Sequence, residues 1–597
     1  MYLDHLDQRF PYRRVTRKAR IAHSKEQSRL GKKTVLISRG RNDISIRKPV
    51  PTSDVLVFNT LTRKIDQVYG IVSSADNYVG EIKNSLHNQP DDHVKVAADN
   101  SLLTDVTRSV VVAAEQFVNG RPSLQERIPE SFKQASESPN RKRWLKACDE
   151  EMDAHKYNGT FTLVPLEEGM KPIGCRWVFT KKDGDVFKAR LVAKVFTQVP
   201  GVDYGETFSP VIKHTSLRLL FAIASKEKMQ MHQMDVKTAF LNGVLKEELY
   251  MRQPPGYSSS KIKGEFVYKL NKSLYGLKQA PQVWNETINR ELKTQGFKSC
   301  NNEPCLFVKG SGSGYILLAL YVDDLLIVSS SDEEIAIAKK KLSEAFKMKD
   351  LGLAKKFLGM NIEFHPTFTK IHLGDYVNSL LIDYGHERTR IISTPAAQIN
   401  LDELQEGKED FCDDSEYRSI VGKLLYAANT VRFDIACIVS QLSRHLINPS
   451  FASIKNSKAK SRTGSSILYG GAPISWKSKL QTMVAISTVN AELIALSYTV
   501  AESIWLINLL KELGLTHKCQ MYCDNQGTIK TVRNPALLDG TKHVLTKTHF
   551  VKQYSEEGWF KLDYINTKEN VADILTKVLA RPEFTYLRSK GKIRERP

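Results

Sequence analysis

The sequence has little cysteine for its length, which argues against a disulfide-stabilised secreted protein. Its eight cysteines are spread over 597 residues, whereas disulfide scaffolds are short and rich in cysteine. Cys300 with Cys305, and Cys519 with Cys523, each have the spacing of half a zinc site. Neither pair has a second Cys/His pair at zinc-finger distance nearby. We therefore predict free thiols rather than structural zinc.

Long apolar runs are missing as well. No window holds about 18 uncharged apolar residues, and the first ten residues, MYLDHLDQRF, lack the apolar core of a signal peptide. We therefore expect no secretion and no membrane partner. The expected location is cytosolic or nuclear. The hydrophobic content of 41% is ordinary, which predicts a globular chain of several domains.

Positive charge is in excess. Lysine and arginine number 87 against 66 acidic residues, a net charge of +21, and nucleic acid is the polyanion best able to use it. The first fifty residues carry 14 Lys/Arg and 4 Asp/Glu, most densely in YRRVTRKAR. Residues 1–125 are irregular and are predicted to be largely disordered. The first fifty, which have no sustained apolar period, are either a solvated tail or an arm that binds nucleic acid, host DNA included.

From about Ile128 the sequence predicts folded structure of the α+β class, because strands and helices mix without strict alternation. PNRKRWLKACDEEMDAHKYNG and APQVWNETINRELKTQGF have helical spacing, and RWVFTKKDGDVFKARLVAKVF predicts a hairpin around the Asp-Gly turn. YRSIVGKLLYAANTVRFDIACIVSQLSRHL predicts two packed helices. Beyond about Ala452, APISWKSKLQTMVAIST, AELIALSYTVAESIWLINLLKELG and CQMYCDNQ predict a strand pair, a long helix and a strand.

Two adjacent acids interrupt the apolar stretch YILLALYVDDLLIVSS. This pattern predicts two buried strands joined by a tight turn that displays Asp323 and Asp324. An ordinary surface turn is the simpler interpretation of this stretch alone. A third acid, Asp235 in HQMDVKTAFLNG, lies at the end of another predicted strand. Three carboxylates on two neighbouring strands suit two Mg²⁺ ions, the arrangement that polymerases use for phosphoryl transfer.

Several blocks of sequence resemble the reverse transcriptase of Ty1/copia-type LTR retrotransposons. They include YVDD, MDVKTAFLNGVLKEELYMRQPPGY, KARLVAKVFTQVPGVDYGETFSPVIK and SLYGLKQAPQVW, in blocks that run from about Pro129 to about Thr576. The resemblance implies a right-handed fingers, palm and thumb polymerase followed by a ribonuclease H domain. It implies reverse transcriptase fingers and palm at 126–400, a helical thumb or connection at 401–450, a ribonuclease H-like domain at 451–580 and a basic tail at 581–597.

The same resemblance implies roles for single residues. Asp235, Asp323 and Asp324 would be the catalytic, magnesium-binding triad. Five nucleotide-binding residues would be Lys188 and Arg190 on the triphosphate, Phe240 against a ribose 2′-hydroxyl, and Gly276 and Lys278 where a nucleotide-side helix begins. Core packing for Phe240, and solvated surface charge for Lys188 and Arg190, are the alternatives. KDLGLAKKFLGMNIEF resembles the segment that holds the primer terminus.

The chain departs from the family pattern in two main places. Val195 stands where the family usually has glycine, which would be strained if that position needs a positive φ. The ribonuclease H part matches three of the family's four acids, Glu492, Asp524 and Asp573, but LSRHLINPS passes almost directly into KSRTGSSILYGGAPISW. The first strand, which carries the fourth acid, is therefore predicted to be missing. A two-metal site short of one ligand should lose most of its activity.

Two hypotheses follow. The first is an RNA-directed DNA polymerase that uses an RNA template, a DNA primer or cDNA, dNTPs and two Mg²⁺ ions, with a vestigial ribonuclease H. The protease, gag-type knuckle and integrase motifs of the family's polyprotein are not found, which indicates its polymerase end, in virus-like particles in the cytoplasm or in the nucleus. The second is a catalytically dead relic that acts only as a basic nucleic-acid-binding protein. The sequence does not indicate an oligomeric state.

Overall fold

The structure is a computed structural model that describes residues 128–593, except 183–184, 195, 197, 202, 259–263, 311–313, 387–391, 396–413, 447–459 and 535–541. Predictions were made for four segments that lie outside the described residues: the basic region 1–125, the Asp-Gly turn, Val195 and the segment after Ser450. The chain divides into two compact units, Met1–Arg127 with Leu381–Arg388 and Ile128–Leu380 with Thr389–Pro597. The described elements belong almost entirely to the second unit.

The amino-terminal part of this unit contains a three-stranded antiparallel sheet, a separate hairpin and a long helix. The sheet has the strand order β1-β6-β5, and β2 pairs with β3 as the predicted hairpin. Trp144 of the helix is fully buried, and Phe179 and Phe187 of the hairpin meet its ring edge-on. The elements are α1 (Phe132–Glu137), α2 (Arg141–Tyr157), β1 (Phe161–Pro165), β2 (Cys175–Lys182), β3 (Val186–Ala193), β5 (Val244–Arg252) and β6 (Phe266–Lys272).

A six-stranded antiparallel sheet forms the centre, with strand order β11-β4-β10-β9-β8-β7. Its two middle strands are mostly apolar because alternate side chains enter different cores: Leu317 and Ala319 on one face, Leu318 and Leu320 on the other. The elements are α3 (His214–Lys226), β4 (Gln230–Val236), α4 (Ala280–Thr294), β7 (Lys298–Ser299), β8 (Leu306–Lys309), β9 (Ile316–Tyr321), β10 (Asp324–Ser329), α5 (Asp332–Ala345) and β11 (Met348–Leu353).

A small antiparallel sheet and three helices follow. The sheet has the order β12-β13-β14, and the predicted pair of helices is present as α7 and α8. These elements are β12 (Lys356–Phe357), β13 (Met360–Phe364), β14 (Thr369–His372), α6 (Gly374–Asp383), α7 (Asp414–Thr430) and α8 (Ala436–Leu442).

The carboxyl-terminal region begins with the predicted strand pair and long helix. Its elements are β15 (Arg462–Tyr469), β16 (Ala472–Leu480), α9 (Thr488–Glu512), β17 (Cys519–Cys523), α10 (Gln526–Arg533), α11 (Lys542–Glu556), β18 (Phe560–Tyr564) and α12 (Arg581–Lys590). The last predicted segment, 581–597, therefore holds a helix, which buries Phe584 and Leu587.

Within the described residues, the strands of this region form two separate sheets: an antiparallel pair, β15 with β16, and a parallel pair, β17 with β18. No described strand joins the two pairs. The segment in which a joining strand was expected includes residues 447–459, which are not described. The missing first strand therefore stays a prediction.

Among the described helices, α9 is long and apolar enough to cross a membrane, by length and composition alone. The helix carries Glu492 and Glu502, so it is not an uncharged apolar run, and the absence of a membrane partner stays a prediction. The structure gives this apolarity another cause, because the helix enters two cores. Leu493 and Val500 pack with β17 and β18, whereas Leu506 and Leu509 pack with the six-stranded sheet. A helix that buries different faces along its length needs apolar residues all round.

Candidate active site

The three predicted acids meet at one end of the central strands. Asp324, the first residue of β10, lies directly opposite Asp235 of β4 in the antiparallel register. Residues paired in this way lie on the same face of a sheet, with Cβ atoms about 5 Å apart. Asp323 occupies the turn before β10, and its carbonyl accepts a hydrogen bond from the Val236 amide at 2.8 Å. All three acids are half-buried.

The turn that carries Asp323 has a strained backbone that is held in place. Val322 has a φ of +54°, a left-handed conformation that is unfavourable for a β-branched residue. The indole Nε1 of buried Trp284, on α4, donates to the Val322 carbonyl at 2.6 Å. Gln233 Nε2 donates to Asp324 Oδ1 at 3.2 Å. These contacts fix the position of the acids from neighbouring elements.

The donor set suits a divalent cation. Three half-buried carboxylates at the end of buried strands offer hard oxygen ligands, which Mg²⁺ prefers. On the other side of β4, the register places Lys349 of β11 opposite Asp235. This cationic residue lies within the segment predicted to hold the primer terminus.

Phe240 lies five residues beyond Asp235, on a short 3₁₀ turn, Ala239–Asn242. Its ring meets Tyr275 edge-on, with centroids 5.0 Å apart, and the guanidinium of Arg190 lies 4.9 Å from the Tyr275 ring centroid. The side chains of Arg190, Tyr275 and Phe240 thus form a row from hairpin strand β3 to the 3₁₀ turn that follows β4. Phe240 is also partly buried against two cores, so packing and substrate contact are compatible.

Tyr275 was missed in the sequence, although its neighbour Gly276 was singled out. Burial raises the pKa of Tyr275 to about 12, Arg190 opposes that shift, and the nearby charges of Asp323 and Asp235 add to it. The aromatic residue immediately before the singled-out glycine was the available signal. The structure shows that Tyr275 connects Arg190 with Phe240.

Gly276 permits a close backbone approach, and the neighbour that approaches it is β3. Its φ is +97°, and a Cβ atom there would lie 2.4 Å from the carbonyl oxygen of Ala193. The Ala193 amide donates to the Tyr275 carbonyl at 2.8 Å. Glycine is therefore required where β3 crosses the LYGLKQ segment, and a nucleotide contact at Gly276 stays a prediction.

The two predicted lysines lie in different settings. Lys188 is exposed on β3, two residues before Arg190 and so on the same face of the strand. Lys278 is half-buried, and its ammonium donates to Tyr204 Oη at 2.9 Å. The backbone amide of Lys278 donates to Gln198 Oε1 at 3.0 Å. Through these two hydrogen bonds Lys278 joins the loop after β3 to the segment that begins α4. A role of Lys278 in nucleotide binding stays a prediction.

A second acidic cluster lies in the carboxyl-terminal region, built from the three predicted ribonuclease H residues. Burial, with the charges of Asp524 and Asp573, raises the pKa of Glu492 on α9 to about 7. Burial also raises the pKa of Asp573, against the opposing effect of Lys577, whose Nζ is 3.1 Å from Asp573 Oδ2. The structure therefore brings all three acids together.

Cys523 belongs to the same cluster and was not predicted there. Its Sγ and one oxygen each of Glu492 and Asp524 all lie within 4.8 Å of one another, the one such group of three metal-capable side chains in the described part of the chain. Burial raises the pKa of the Cys523 thiol to about 12, so it is neutral at pH 7. The signal was its position directly before Asp524 in YCDN.

The comparisons with known proteins agree on one family. Residues 158–398 match the family model described as reverse transcriptase (RNA-dependent DNA polymerase). The chain is 39% identical over 511 residues to a retrovirus-related Pol polyprotein from transposon TNT 1-94 of Nicotiana tabacum, covering 77% of this chain and 38% of that protein. The Pol polyprotein from transposon RE1 of Arabidopsis thaliana is 35% identical over 494 residues, with 75% and 34% covered.

A shorter relative is covered completely. The putative transposon Ty5-1 protein of Saccharomyces cerevisiae is 34% identical over 310 residues, which are 45% of this chain and all of that protein. A solved foamy viral protease–reverse transcriptase in complex with double-stranded DNA matches at 12% identity, covering 89% of this chain and 84% of that one, with a TM-score of 0.38. This chain spans little more than a third of the length of the plant polyproteins.

Proposed function

Since the chain belongs to the reverse transcriptase family of Ty1/copia-type transposons, we propose that it is an RNA-directed DNA polymerase. It would extend a DNA primer on an RNA template with dNTPs. The observation that carries the proposal is the register that sets Asp324 opposite Asp235, with Asp323 in the adjoining turn. Acids on two neighbouring strands are the arrangement needed for in-line nucleotidyl transfer.

In this proposal Asp235, Asp323 and Asp324 hold Mg²⁺. When bound, the ions supply a lowered pKa for the primer 3′-hydroxyl and charge neutralisation for the departing pyrophosphate. The strained turn at Val322, fixed by Trp284, keeps the carboxylates in one place before substrate arrives. Such preorganisation lowers the reorganisation needed in the transition state.

The row from Arg190 to Phe240 forms the nucleotide side of the site. Arg190, with Lys188 on the same face of β3, binds the triphosphate, because fixed cations match its charge. The ring of Tyr275 contacts the guanidinium of Arg190 and lies between Arg190 and Phe240. The aromatic ring of Phe240 occupies the space that a ribose 2′-hydroxyl would need, which favours deoxynucleotides.

The proposed subdivision follows the described elements. The hairpin β2–β3 and the β1-β6-β5 sheet make up the fingers, the six-stranded sheet the palm, and α7 with α8 the thumb segment. Residues 451–580 form the ribonuclease H-like region. We propose that its nuclease activity is vestigial, because Glu492, Asp524 and Asp573 are three acids of a four-acid, two-metal site.

Primer extension by the purified full chain tests the proposal. On poly(rA)/oligo(dT) with Mg²⁺ and dTTP, we expect incorporation that Asp323→Asn abolishes. If wild type binds the primer–template but incorporates nothing, the chain is the dead relic. Release of labelled fragments from an RNA/DNA hybrid tests the nuclease separately, and efficient cleavage that Asp524→Asn abolishes would contradict a vestigial ribonuclease H.

A further inference from the structure

The carboxyl-terminal region and the six-stranded sheet share one hydrophobic core. The second half of α9 and one residue of β16 enter the core that covers the α3 face of the sheet. The contributors from the carboxyl-terminal region are Ile474, Leu506, Leu509, Leu510 and Leu513, and all are buried. Those from the sheet side include Leu217, Leu220, Leu306, Leu317 and Leu326, all fully buried. Neither part completes this core alone.

Arg218 of α3 connects three elements inside that contact. It is only 6% exposed, and its Nε donates to the Ile474 carbonyl of β16 at 2.7 Å. One terminal nitrogen donates to the carbonyls of Asn429 and Thr430, at the end of α7, at 2.7 and 2.8 Å. Burial lowers the pKa of Arg218 to about 9, which still leaves it charged at pH 7.

The last backbone carbonyls of α7 therefore accept hydrogen bonds from other elements. Besides Arg218, the indole of Trp476 on β16 donates to the Ala428 carbonyl at 2.9 Å, and the guanidinium lies 3.9 Å from the Trp476 ring centroid. The last carbonyls of a helix lack partners within the helix and carry its negative partial charge. A buried cation is well placed there, and it depends on β16 for its remaining contacts.

A second set of polar contacts joins the far end of α9 to the sheet. Glu512 accepts hydrogen bonds from the backbone amide and the side-chain Nδ2 of Asn302, at 3.2 and 2.7 Å. Trp505 Nε1 donates to the Asn302 carbonyl at 3.0 Å, and Tyr315 Oη donates to the Leu513 carbonyl at 2.6 Å. These bonds fix the rotation of α9 on the sheet.

We propose that the region from Arg462 to Ile593 is a structural part of the polymerase, which completes the core behind the sheet that carries Asp235, Asp323 and Asp324. Separable domains meet through modest, largely polar surfaces, whereas this contact shares a continuous apolar core and a buried guanidinium. The region's structural role does not require a working nuclease. It rests on packing and is independent of whether the proposed polymerase is active.

Hydrogen–deuterium exchange on the full chain tests this inference. In Arg218→Met we expect amide exchange to rise by about tenfold or more in both parts together, in the second half of α9 and in β8 and β9. The matched control is Arg290→Met, on the exposed side of α4, which should leave both parts as in wild type. Faster exchange confined to one part would overturn the inference.

A gentler pair of variants covers the case in which Arg218→Met does not fold. Asn302→Ala and Glu512→Ala remove the two sides of one contact across the boundary. We expect a single urea unfolding transition in each, and a double variant whose midpoint is no lower than that of the worse single variant. Two separate urea transitions, with each substitution lowering the midpoint of only the transition of its own part, would overturn the inference. That outcome does not depend on the result of the polymerase assay.

Discussion

Replacing Glu492 by glutamine tests the electrostatics of the second acidic cluster, and its expected effect depends on pH. Burial and the neighbouring acids raise the pKa of Glu492 from 4.5 to about 7. A carboxyl group with a higher pKa in the folded chain binds its proton more tightly there. Stability is therefore greatest at low pH and falls as the pH rises from the unfolded value through the folded one.

The magnitude follows from the same pKa values. Each pKa unit corresponds to about 1.4 kcal/mol, so ionised Glu492 lowers the free energy of unfolding by about 3 kcal/mol at high pH. About 2.5 kcal/mol of that change falls between pH 5 and pH 8. Glutamine carries no charge in this range. The free energy of unfolding of the variant should therefore rise by about 2.5 kcal/mol relative to that of wild type between pH 5 and pH 8.

Urea unfolding of the full chain at pH 5, 6, 7 and 8, without divalent ions, measures this difference. The control is Glu344→Gln on α5, an exposed side chain whose carboxylate is in water in both states. We expect a stability difference that grows with pH for Glu492→Gln and stays flat for the control. A flat difference for Glu492→Gln as well would show that the three acids do not interact in a buried cluster.

Substitutions at three other positions test the nucleotide side of the site. Gly276→Ala should lower the free energy of unfolding by about 1–3 kcal/mol from backbone strain alone, and more if the clash with Ala193 is not relieved. Gly205→Ala, with no atom within 4 Å of the added Cβ, is its control, and equal urea midpoints would refute the argument. Phe240→Ala should raise ribonucleotide incorporation relative to deoxynucleotide incorporation by about tenfold or more; an unchanged ratio in single-nucleotide extension would make Phe240 a packing residue. Tyr275→Phe should keep the KM for dNTP close to wild type while Tyr275→Leu raises it, because the ring makes the contacts; equal KM values in steady-state extension would argue against this role.

Local pattern was sufficient to predict where Asp323 and Asp324 lie in the fold. The unbroken apolar runs on either side of Asp323 and Asp324 predict two buried strands joined by a tight turn. Asp235 was likewise predicted at the end of another strand. Gly276 was singled out through the family resemblance, and its close approach to β3 gives a structural reason for glycine there. Its neighbour Tyr275 was not singled out, because an aromatic residue beside a turn has the same sequence pattern whether it packs in a core or connects two site residues.

The long-range contacts had no local signal. Arg218 lies in an apolar helical segment, where a single arginine ordinarily extends to solvent. Its partners are backbone carbonyls more than 200 residues further along the chain, and carbonyls leave no mark in a sequence. The apolar character of α9 was visible, but its division between two cores depends on which elements pack against each half.

We propose that nucleotide addition depends on the acids at the end of β4 and β10. Single-nucleotide incorporation by the full chain on an RNA template, with Mg²⁺, tests it most directly when Asp324→Asn is compared with Asp153→Asn, which changes an exposed acid on α2. We expect incorporation by wild type and by Asp153→Asn, and a loss of at least about a thousandfold in Asp324→Asn. Incorporation by Asp324→Asn at the rate of the control would contradict it.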